Sequence, residues 1–419
     1  MKIFINKYRK ALLPIVAAAM LFAACNKDVQ QFSIPVVAVN GTISLDSILK
    51  STPSDSLYYL IIKRASQGPT NFVNLLKNTS SNNQYTLFVP DNNGVKAFIN
   101  SASGGLVPIA APDAVFVGFI NGSLPIASAA GIVSYNIIPQ RYDTASIPNV
   151  FPNFPVGTSI FPSPAAPFLT FRTFPSKRPG ILRVNTLPMT TPLNVYAING
   201  IIQHVASVIA PPALSFLWNR INSDTTPFLG LRYLRAAILR ADSGTGTPGT
   251  LVSALNNPAA NLTVFAPTDA VFQGTLTAII TQGLIAQGLP PATAAATAAS
   301  LASTPAVFSN PLLFGTLSAT TVKGILVYHI FSNTTFTANF PMTPTKYPTL
   351  LNSALPTHPG VELAATFTGA FVSSATIKGL GNATAADLII NPAPAPNGSS
   401  DQFYINGTLH KITQLLFPQ

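Results

Sequence analysis

Few side chains in this 419-residue chain have the chemistry that catalysis or metal binding requires. Cys25 is the only cysteine, Glu362 is the only glutamate, and the chain has 12 acidic residues and 4 histidines in all. Paired carboxylates for acid–base work therefore have few candidates. No H-x-x-x-H or Cys/His spacing accompanies His329 or His410. The sequence accordingly predicts no metal site and no cofactor.

Nucleotide binding and nucleophilic hydrolysis also lack support. Gly244, Gly246 and Gly249 match the G-x-G-x-x-G fingerprint formally. However, they follow a predicted helix rather than a strand, and Pro248 interrupts them. The chain contains neither a phosphate loop ending in Gly-Lys-Ser/Thr nor a G-x-S-x-G elbow. We therefore expect that the protein is not an enzyme and binds no nucleotide.

The N-terminus has the three parts of an export signal, namely a basic segment, an apolar run too short to span a bilayer comfortably, and small residues before a cysteine. The last part resembles the lipobox of bacterial lipoproteins, which implies cleavage before Cys25 and acylation of that residue. The alternative is an ordinary signal peptide beside a free thiol. We expect a signal peptide over residues 1–24, a lipidated tether over 25–41, and a membrane anchor.

Three sequence blocks occur twice in the same order, and the second copy is the longer one. Three collinear matches indicate a tandem duplication. The matched blocks are residues 86–92 with 263–269, 131–137 with 324–330, and 196–202 with 403–409. The positions of interest in them are Thr86, Phe88, Pro90, Asp91, Tyr135, Asn136, Asn199 and Gly200 in the first copy, and Thr263, Phe265, Pro267, Thr268, Asp269, Tyr328, His329, Asn406, Gly407 and, just beyond the last block, His410 in the second.

Each block predicts a local structure. The first is a strand that ends at proline and leads into a helix. The second is the end of an amphipathic helix that turns into a strand. The third is a hairpin with a tight Asn-Gly turn. The helix after the first block is expected to be capped by Asp91 or Asn92 in the first copy and by Thr268 or Asp269 in the second.

Together these motifs resemble the fasciclin domain. The second copy, residues 213–419, carries T-V-F-A-P-T-D, then L-x-Y-H-I, then I-N-G-x-x-H. The first copy, residues 42–212, departs from the family pattern: Asp91-Asn92-Asn93-Gly94 replaces Thr-Asp/Asn-x-Ala, and Asn136 replaces the histidine. The resemblance implies an α+β fold of two tandem domains, each a β-sandwich-like wedge with helices packed around it.

The duplication suggests a structural role for the histidines. Asn136 occupies the place of His329, and an amide can replace one hydrogen bond of an imidazole but cannot act as a base. We therefore expect His329 to be a buried polar group that is hydrogen-bonded to backbone. His204 falls one place off the position of His410 in the first copy.

A basic and aromatic stretch in the Pro-rich part of the first copy is the candidate ligand surface. Its charges and rings would suit an acidic polysaccharide or another polyanion. The competing interpretation is a solvated face with snorkelling side chains. Because prolines disfavour central strands, edge strands and ordered loops are expected from 139 to 192. The candidate residues are Phe168, Phe171, Arg172, Phe174, Lys177, Arg178 and Arg183.

Four short sequences have the form Asp, then Ser or Thr, then an aliphatic residue or Thr. They resemble the O-glycosylation sequon of exported proteins in Bacteroidota. The residues after Cys25 resemble a weak form of the surface-export signal of the same phylum. The competing interpretation is that Asp55 and Asp224 cap the opening helices. The hydroxyl residues concerned are Ser47, Ser56, Thr144 and Thr225.

The resemblance and the anchor favour a binding or adhesion protein at the surface of the outer membrane, with an extracellular protein or polysaccharide as ligand; the periplasmic face of that membrane is the alternative location. One alternative is an accessory glycan-binding lipoprotein beside an outer-membrane uptake system. Another is a structural envelope protein without a soluble ligand. Nucleic acid is not an expected partner for an exported protein. Analogy at the level of the fold names no particular ligand.

Overall fold

The computed structural model describes residues 41–80, 84–152, 155–159, 170–178, 180–226, 229–393 and 395–419. Cys25, the predicted signal peptide and Phe168 lie outside the described residues. Asn40–Gln419 form one compact unit that contains both helices and sheets, so the predicted α+β class is confirmed. We call the residues up to 212 the first half and those from 213 the second half. The division into two domains at this point stays a prediction.

Two of the three opening helices of the first half begin at side-chain caps. The Ser44 hydroxyl accepts a hydrogen bond from the Ser47 amide, and the Asn71 side chain accepts one from the Asn74 amide. The helices are α1 (Leu45–Ser51), α2 (Ser56–Ala65), α3 (Phe72–Lys77), α4 (Asn92–Ala102), α5 (Asp113–Gly118) and α6 (Ile126–Tyr135). The strands are β1 (Tyr85–Pro90), β2 (Ile137–Ile138), β3 (Val156–Gly157), β4 (Arg172–Thr173), β5 (Pro175–Lys177), β6 (Leu182–Val184), β7 (Leu187–Pro188), β8 (Val195–Ala197) and β9 (Gly200–Val205).

The main sheet of the first half has the strand order β2-β1-β9-β8. The central strands β1 and β9 are parallel, with Leu87 opposite Ile202, and an antiparallel strand lies at each edge. All residues of β9 are buried, because parallel central strands are covered on both faces. The Pro-rich stretch forms the short strands β3 to β7, in two small sheets.

The second half repeats the main sheet, with the strand order β11-β10-β17-β16 and a parallel central pair. A second antiparallel sheet has the order β12-β13-β14-β15. The helices are α7 (Leu217–Ser223), α8 (Arg232–Ala241), α9 (Thr250–Asn256), α10 (Asp269–Ala286), α11 (Pro291–Leu301) and α12 (Ala319–Tyr328). The strands are β10 (Leu262–Pro267), β11 (Ile330–Phe331), β12 (Thr345–Tyr347), β13 (Val361–Thr368), β14 (Phe371–Lys378), β15 (Ala386–Asp387), β16 (Gln402–Tyr404) and β17 (Gly407–Ile412).

Each half has its own apolar core. In the first half the buried side chains of α2 and α6 form a cluster with those of β1 and β9, for example Ile62, Val133 and Leu87. In the second half one cluster joins the helices to β10, and another joins the two sheets through side chains such as Leu363 and Ile377. Full burial of each such side chain contributes roughly 1.5–3 kcal/mol. These cores therefore fix the sheets that position the polar groups described below.

The predicted cap of α10 was wrong. Asp91 does cap α4, since its carboxylate accepts a hydrogen bond from the Gly94 amide at 2.7 Å. Thr268, however, makes no side-chain cap bond to α10, and Asp269 accepts instead from the Tyr233 amide at 3.0 Å. That amide belongs to the start of α8, which has no capping side chain at its own N-cap position. Asp269 therefore connects α10 to the start of α8 and does not cap α10.

The predicted hairpin is confirmed, but its turn lies one residue earlier than expected. The two turn residues are Ile198 and Asn199, and Gly200 is the first residue of β9. A Cβ on Gly200 would lie 2.1 Å from the Tyr85 carbonyl oxygen. Glycine is required there because β1 approaches the backbone closely and because its φ of 157° is one that residues with side chains rarely adopt.

The two halves contact each other through an aromatic junction, which consists of Phe174, Phe336 and Phe403. The ring of Phe174 lies 5.6 Å from that of Phe336 and 6.0 Å from that of Phe403, both edge to face. Beside the rings, the Ser176 hydroxyl donates a hydrogen bond to Asn339 Oδ1 at 2.6 Å. Side chains more than 150 residues apart therefore hold the halves in one arrangement.

Among the described residues, no single helix has both the length and the hydropathy of a membrane span. Two consecutive helical segments, Asp113–Ser123 and Ile126–Tyr135, reach that length and hydropathy only when taken together, and they are bent by 107°.

Candidate functional site

His329 lies at the end of α12 and is 1% exposed. Its Nδ1 is 2.8 Å from the Ile325 carbonyl oxygen, and its Nε2 accepts a hydrogen bond from the Leu416 amide at 2.9 Å. The ring is therefore the neutral tautomer with the proton on Nδ1. Burial lowers the pKa of His329 to about 4. Both nitrogens are used by the backbone, which leaves none to take a proton from a substrate.

Asn136 occupies the place of His329 in the first half and reproduces one of its two hydrogen bonds. Its Nδ2 donates to the Ile132 carbonyl at 2.8 Å, four residues back, just as His329 does. Its second bond has the opposite direction, because Nδ2 donates to the Ile209 carbonyl at 2.9 Å. An amide and an imidazole thus join the same two segments, which is the arrangement that a structural role predicts.

His410 lies on β17, has no exposed surface, and is hydrogen-bonded at both nitrogens. Nδ1 accepts from the Asp401 amide at 3.0 Å, so Nε2 carries the proton toward the Thr335 carbonyl at 3.1 Å. The Asp401 carboxylate accepts two hydrogen bonds from Thr337, at 2.7 and 2.6 Å, and its Oδ1 lies 3.9 Å from His410 Nδ1. Burial lowers the pKa of His410 and outweighs the opposite effect of the Asp401 charge. Backbone groups thus occupy both ring nitrogens, and Thr337 occupies both carboxylate oxygens.

The first half builds the same network from amides. Gln203 lies opposite Phe88 as His410 lies opposite Phe265, and its Oε1 accepts from the Asn194 amide at 3.0 Å. Asn194, the counterpart of Asp401, donates from Nδ2 to the Thr144 hydroxyl at 2.7 Å. The same place is therefore occupied by an imidazole and a carboxylate in one half and by two amides in the other.

A third buried network pairs an aspartate with a cation on the last central strand. His204 Nε2 lies 3.1 Å from Asp55 Oδ2, and its Nδ1 lies 2.8 Å from the Pro192 carbonyl. Burial is the largest single influence and would lower the pKa of His204, but the hydrogen bonds to Asp55 and the Pro192 carbonyl, together with the nearby negative charges, raise the pKa overall. In the second half Lys411 donates to Asp224 at 2.8 Å. Both aspartates are buried.

These pairs correct the interpretation of Asp55 and Asp224 as helix caps. Asp55 does stand at the N-cap of α2, but its side chain makes no cap bond and turns to His204 instead. Asp224 follows α7 at its C-terminal end and binds Lys411 and Arg220. A buried carboxylate gains more from a cation than from an amide at a helix end.

The remaining motif residues connect segments in the same way in both halves. The Tyr135 hydroxyl donates to the Arg172 carbonyl at 2.8 Å, and the Tyr328 hydroxyl to the Gly360 carbonyl at 2.7 Å. Phe88 and Phe265 are fully buried, and Pro90 and Pro267 end their strands. The hydroxyls of Thr86 and Thr263 donate to the carbonyls of Gln140 and Asn333. Asn199 accepts from the Leu45 amide and donates to the Leu76 and Asn78 carbonyls. Asn406 accepts from the Leu217 amide and donates to the Leu255 carbonyl. The motif is a structural framework.

Within the described parts of the chain, no three His, Cys, Asp or Glu side chains come close enough to hold a metal ion.

The predicted ligand surface needs correction. Phe171, Phe174 and Arg183 are 3%, 1% and 0% exposed, so they are not on a surface. Phe174 belongs to the aromatic junction, and Arg183 donates to the Ala370 carbonyl of the second half at 2.8 Å. The reason is that the second half covers this face of the first. Arg172 and Arg178 are half-buried, and Lys177 is exposed. Phe168 lies outside the described residues.

The four sequons share one geometry. All four aspartates are buried. Asp55 is fully buried, and the exposure of the others ranges from 2% for Asp46 to 6% for Asp143. Each hydroxyl residue points outward or is half-buried: Ser47, Ser56 and Thr225 are exposed, and Thr144 is half-buried. The aspartates have partners in the fold, such as the Tyr59 hydroxyl that donates to Asp46 at 2.8 Å. The positions are therefore accessible to modification, and the aspartates also have a structural reason to be there.

A cleft of about 360 Å³ lies where the halves meet. Sequence reasoning missed it. Asn and Asp tolerate a left-handed backbone, which is a weak signal at Asn185 and Asp401, but nothing local shows that distant segments converge. Its walls include Phe98, Asn185 and Ser207 from the first half, and Phe336, Asp401 and Phe403 from the second.

No family model and no curated protein matches the chain. Among solved structures, a FAS1 domain pair from the insect cell adhesion molecule fasciclin I is similar to it. The identity is 13%, the match covers 88% of this chain and 98% of that chain, and the TM-score is 0.28. A likeness at that TM-score does not by itself establish a function for this chain.

Proposed function

We propose that the chain is a lipid-anchored binding or adhesion protein, displayed on the bacterial outer membrane, that acts through two fasciclin-type domains. The observation that carries the binding role is an exposed apolar segment of the first half. Leu106, Ile109 and Val115 are 87%, 53% and 45% exposed within ten residues of chain. Exposed apolar groups gathered in this way mark interaction sites in soluble proteins.

The chemistry of this segment favours a protein partner. Asp113 is the only charged residue between Ala97 and Gln140, and its carboxylate lies 2.6 Å from Lys96 Nζ. With that charge paired, contact would be made mainly by apolar surface and backbone. Such a surface suits adhesion to another protein better than capture of a polyanion.

A non-enzymatic role is part of the proposal, and the histidines support it. All four have both ring nitrogens within hydrogen-bonding distance of protein groups, including His358, which lies 2.8 Å from the Pro418 carbonyl and accepts from the Gly360 amide. A general base needs a nitrogen that reaches its substrate.

The anchor is tested with Cys25→Ser. The natural chain should label with radioactive palmitate and fractionate with the outer membrane, whereas the variant should not label and should be released. Protease added to intact cells should digest the natural protein if it faces outward. Equal membrane retention of both forms would contradict a lipid on Cys25.

Adhesion is tested with beads that carry the purified protein, measured by their retention on cells of the same culture. The Leu106→Asp/Ile109→Asp variant should lose most retention, because two exposed apolar contacts are replaced by charges. Leu312→Asp is the matched control, since Leu312 is also 87% exposed but lies in the second half. Equal retention of the natural form and the double variant would overturn this role for the segment.

The sequons are proposed as O-glycosylation sites of the exported protein. Mass spectrometry of protein from the native host should find glycan on Ser47, Ser56, Thr144 or Thr225. Complete peptide coverage without added mass would leave the aspartates with their structural role alone.

A further inference from the structure

The cleft between the halves has walls that are held in place by hydrogen bonds. Asn185 and Asp401 both line it, and both have a left-handed backbone, with φ of 54° and 53°. The Asn185 side chain accepts from the Phe174 amide at 3.0 Å and donates to the Tyr135 hydroxyl at 3.2 Å. Non-glycine residues keep such a backbone when the surroundings fix it, and such positions gather at binding sites.

Aromatic rings enter the cleft from both halves. Phe98 on α4 and Phe403 on β16 are half-buried, so part of each ring faces the open space. Phe403 is also part of the aromatic junction, where its ring lies 5.3 Å from that of Phe336. The ring is therefore held by its neighbours and presents a fixed apolar surface.

Hydroxyl groups stand around these rings. Ser101, Thr186 and Ser207 line the cleft. Ser207 donates to the Gly94 carbonyl at 3.1 Å, so its oxygen can still accept, while the structure records no hydrogen bond of the Ser101 or Thr186 hydroxyl among the described residues. A ligand with several hydroxyl groups would find both donors and acceptors here.

The charged groups in the cleft lining favour a neutral ligand. No lysine, arginine or histidine is among the described residues that line the cleft, and Asp401 is its only carboxylate. Both oxygens of that carboxylate accept from Thr337. A polyanion would find no cation here, and a cation would find a carboxylate that is already engaged.

We propose that this cleft binds a neutral oligosaccharide. The inference goes beyond the proposed adhesion through the Leu106 segment, because it adds a second ligand class and a separate site. Sugar rings place C–H groups on one face and hydroxyls at the edge, which matches a lining that combines phenyl rings and aliphatic side chains with Ser, Thr and Asn groups. A volume of about 360 Å³ lies within the range of ligand sites. Because both halves line the cleft, a bound saccharide also bridges them.

The test is titration calorimetry of the purified protein with cellohexaose, xylohexaose, mannohexaose and maltohexaose, and with an oligogalacturonate hexamer as the charged comparison. We expect at least one neutral hexasaccharide to bind with a stoichiometry of one. Phe98→Ala should bind it about tenfold more weakly, and Phe98→Tyr should keep most of the affinity. Ser101→Trp, which fills the cleft from an exposed position on α4, should abolish binding.

Ser300→Trp is the matched control, because Ser300 is exposed on α11 and does not line the cleft. Circular dichroism melting of each variant shows that it is folded. No binding of any neutral hexasaccharide, binding of the charged hexamer alone, or unchanged binding by Ser101→Trp would each overturn the proposal. The bead assay with Leu106→Asp/Ile109→Asp is independent of the cleft, so the adhesion role and the saccharide site can fail separately.

Discussion

His204 and Lys411 occupy the same register position in the two main sheets, opposite Val89 in β1 and Ala266 in β10. His204 binds the buried Asp55 at 3.1 Å, and Lys411 binds the buried Asp224 at 2.8 Å. The duplicated fold therefore keeps a bond to a buried aspartate at this place but uses an imidazole in one half and an ammonium group in the other. Of these two side-chain types, only imidazole has its ordinary pKa near neutral pH.

The pH dependence of stability should reflect this difference. The pKa of His204 is raised above 6.5 when the protein is folded, so protonation stabilises the fold below 6.5, and the contribution is lost as pH rises through the folded pKa. His204→Lys should keep the pair charged up to pH 9. We expect the free energy of unfolding to fall less between pH 6 and 9 in this variant than in the natural protein. Urea titrations at both pH values measure it, and identical losses would contradict the pairing.

Replacement of His329 should separate packing from hydrogen bonding. His329→Asn keeps the donor to the Ile325 carbonyl, and we expect a loss of about 1–2 kcal/mol in the free energy of unfolding. His329→Leu leaves that carbonyl and the Leu416 amide unpaired, and should cost about 2–4 kcal/mol at pH 7. Urea unfolding measures both variants. Equal losses would mean that the hydrogen bonds contribute little.

The same residue should make the fold acid-sensitive. The pKa of His329 is lowered to about 4, so its contribution is complete above the unfolded value of 6.5 and declines as pH falls from there toward 4. The Asn variant has no group to protonate at this position. We expect its free energy of unfolding to fall less between pH 7 and pH 5 than that of the natural protein, measured by urea at each pH.

The aromatic junction should make the halves unfold together. Phe174→Ala removes a buried ring that contacts Phe336 and Phe403, and should cost about 3–5 kcal/mol. Calorimetric melting should show one transition for the natural protein and two for the variant. Phe314→Ala is the control, since Phe314 is 38% exposed and lies outside the junction. One unshifted transition in Phe174→Ala would show that the halves are not coupled there.

Glycine in the last central strand should be irreplaceable for steric reasons. A Cβ on Gly407 would lie 2.0 Å from the Leu262 carbonyl oxygen, so Gly407→Ala must push β10 away from β17. Gly274 in α10 has open space around its Cα, and Gly274→Ala should stabilise the helix by about 0.5–1 kcal/mol. Thermal melting of both variants checks the opposite signs, and a Gly407→Ala variant as stable as the natural protein would contradict the close approach.

Much of the framework followed from sequence patterns because its causes are local or repeated. A strand that ends at proline, an opening helix and a returning strand were expected in each half from local patterns, whereas the α+β class was implied by the resemblance to the fasciclin domain. The role of Asp269 was missed because its partner, the Tyr233 amide, belongs to another helix. The predicted ligand surface was wrong for the same reason. Residues of the second half, distant in the sequence, contact Phe174 and Arg183, and both side chains are buried.

By itself the sequence determined the duplication, the order of the elements and the positions where an imidazole and an amide replace each other. Periodicity and repeated motifs encode these features within a few residues. Only the tertiary structure decided that His204 and Lys411 each bind a buried aspartate, and that Asn185 and Asp401 line one cleft. Register and burial depend on contacts between distant segments, such as the hydrogen bond that joins Ser176 to Asn339 across 163 residues.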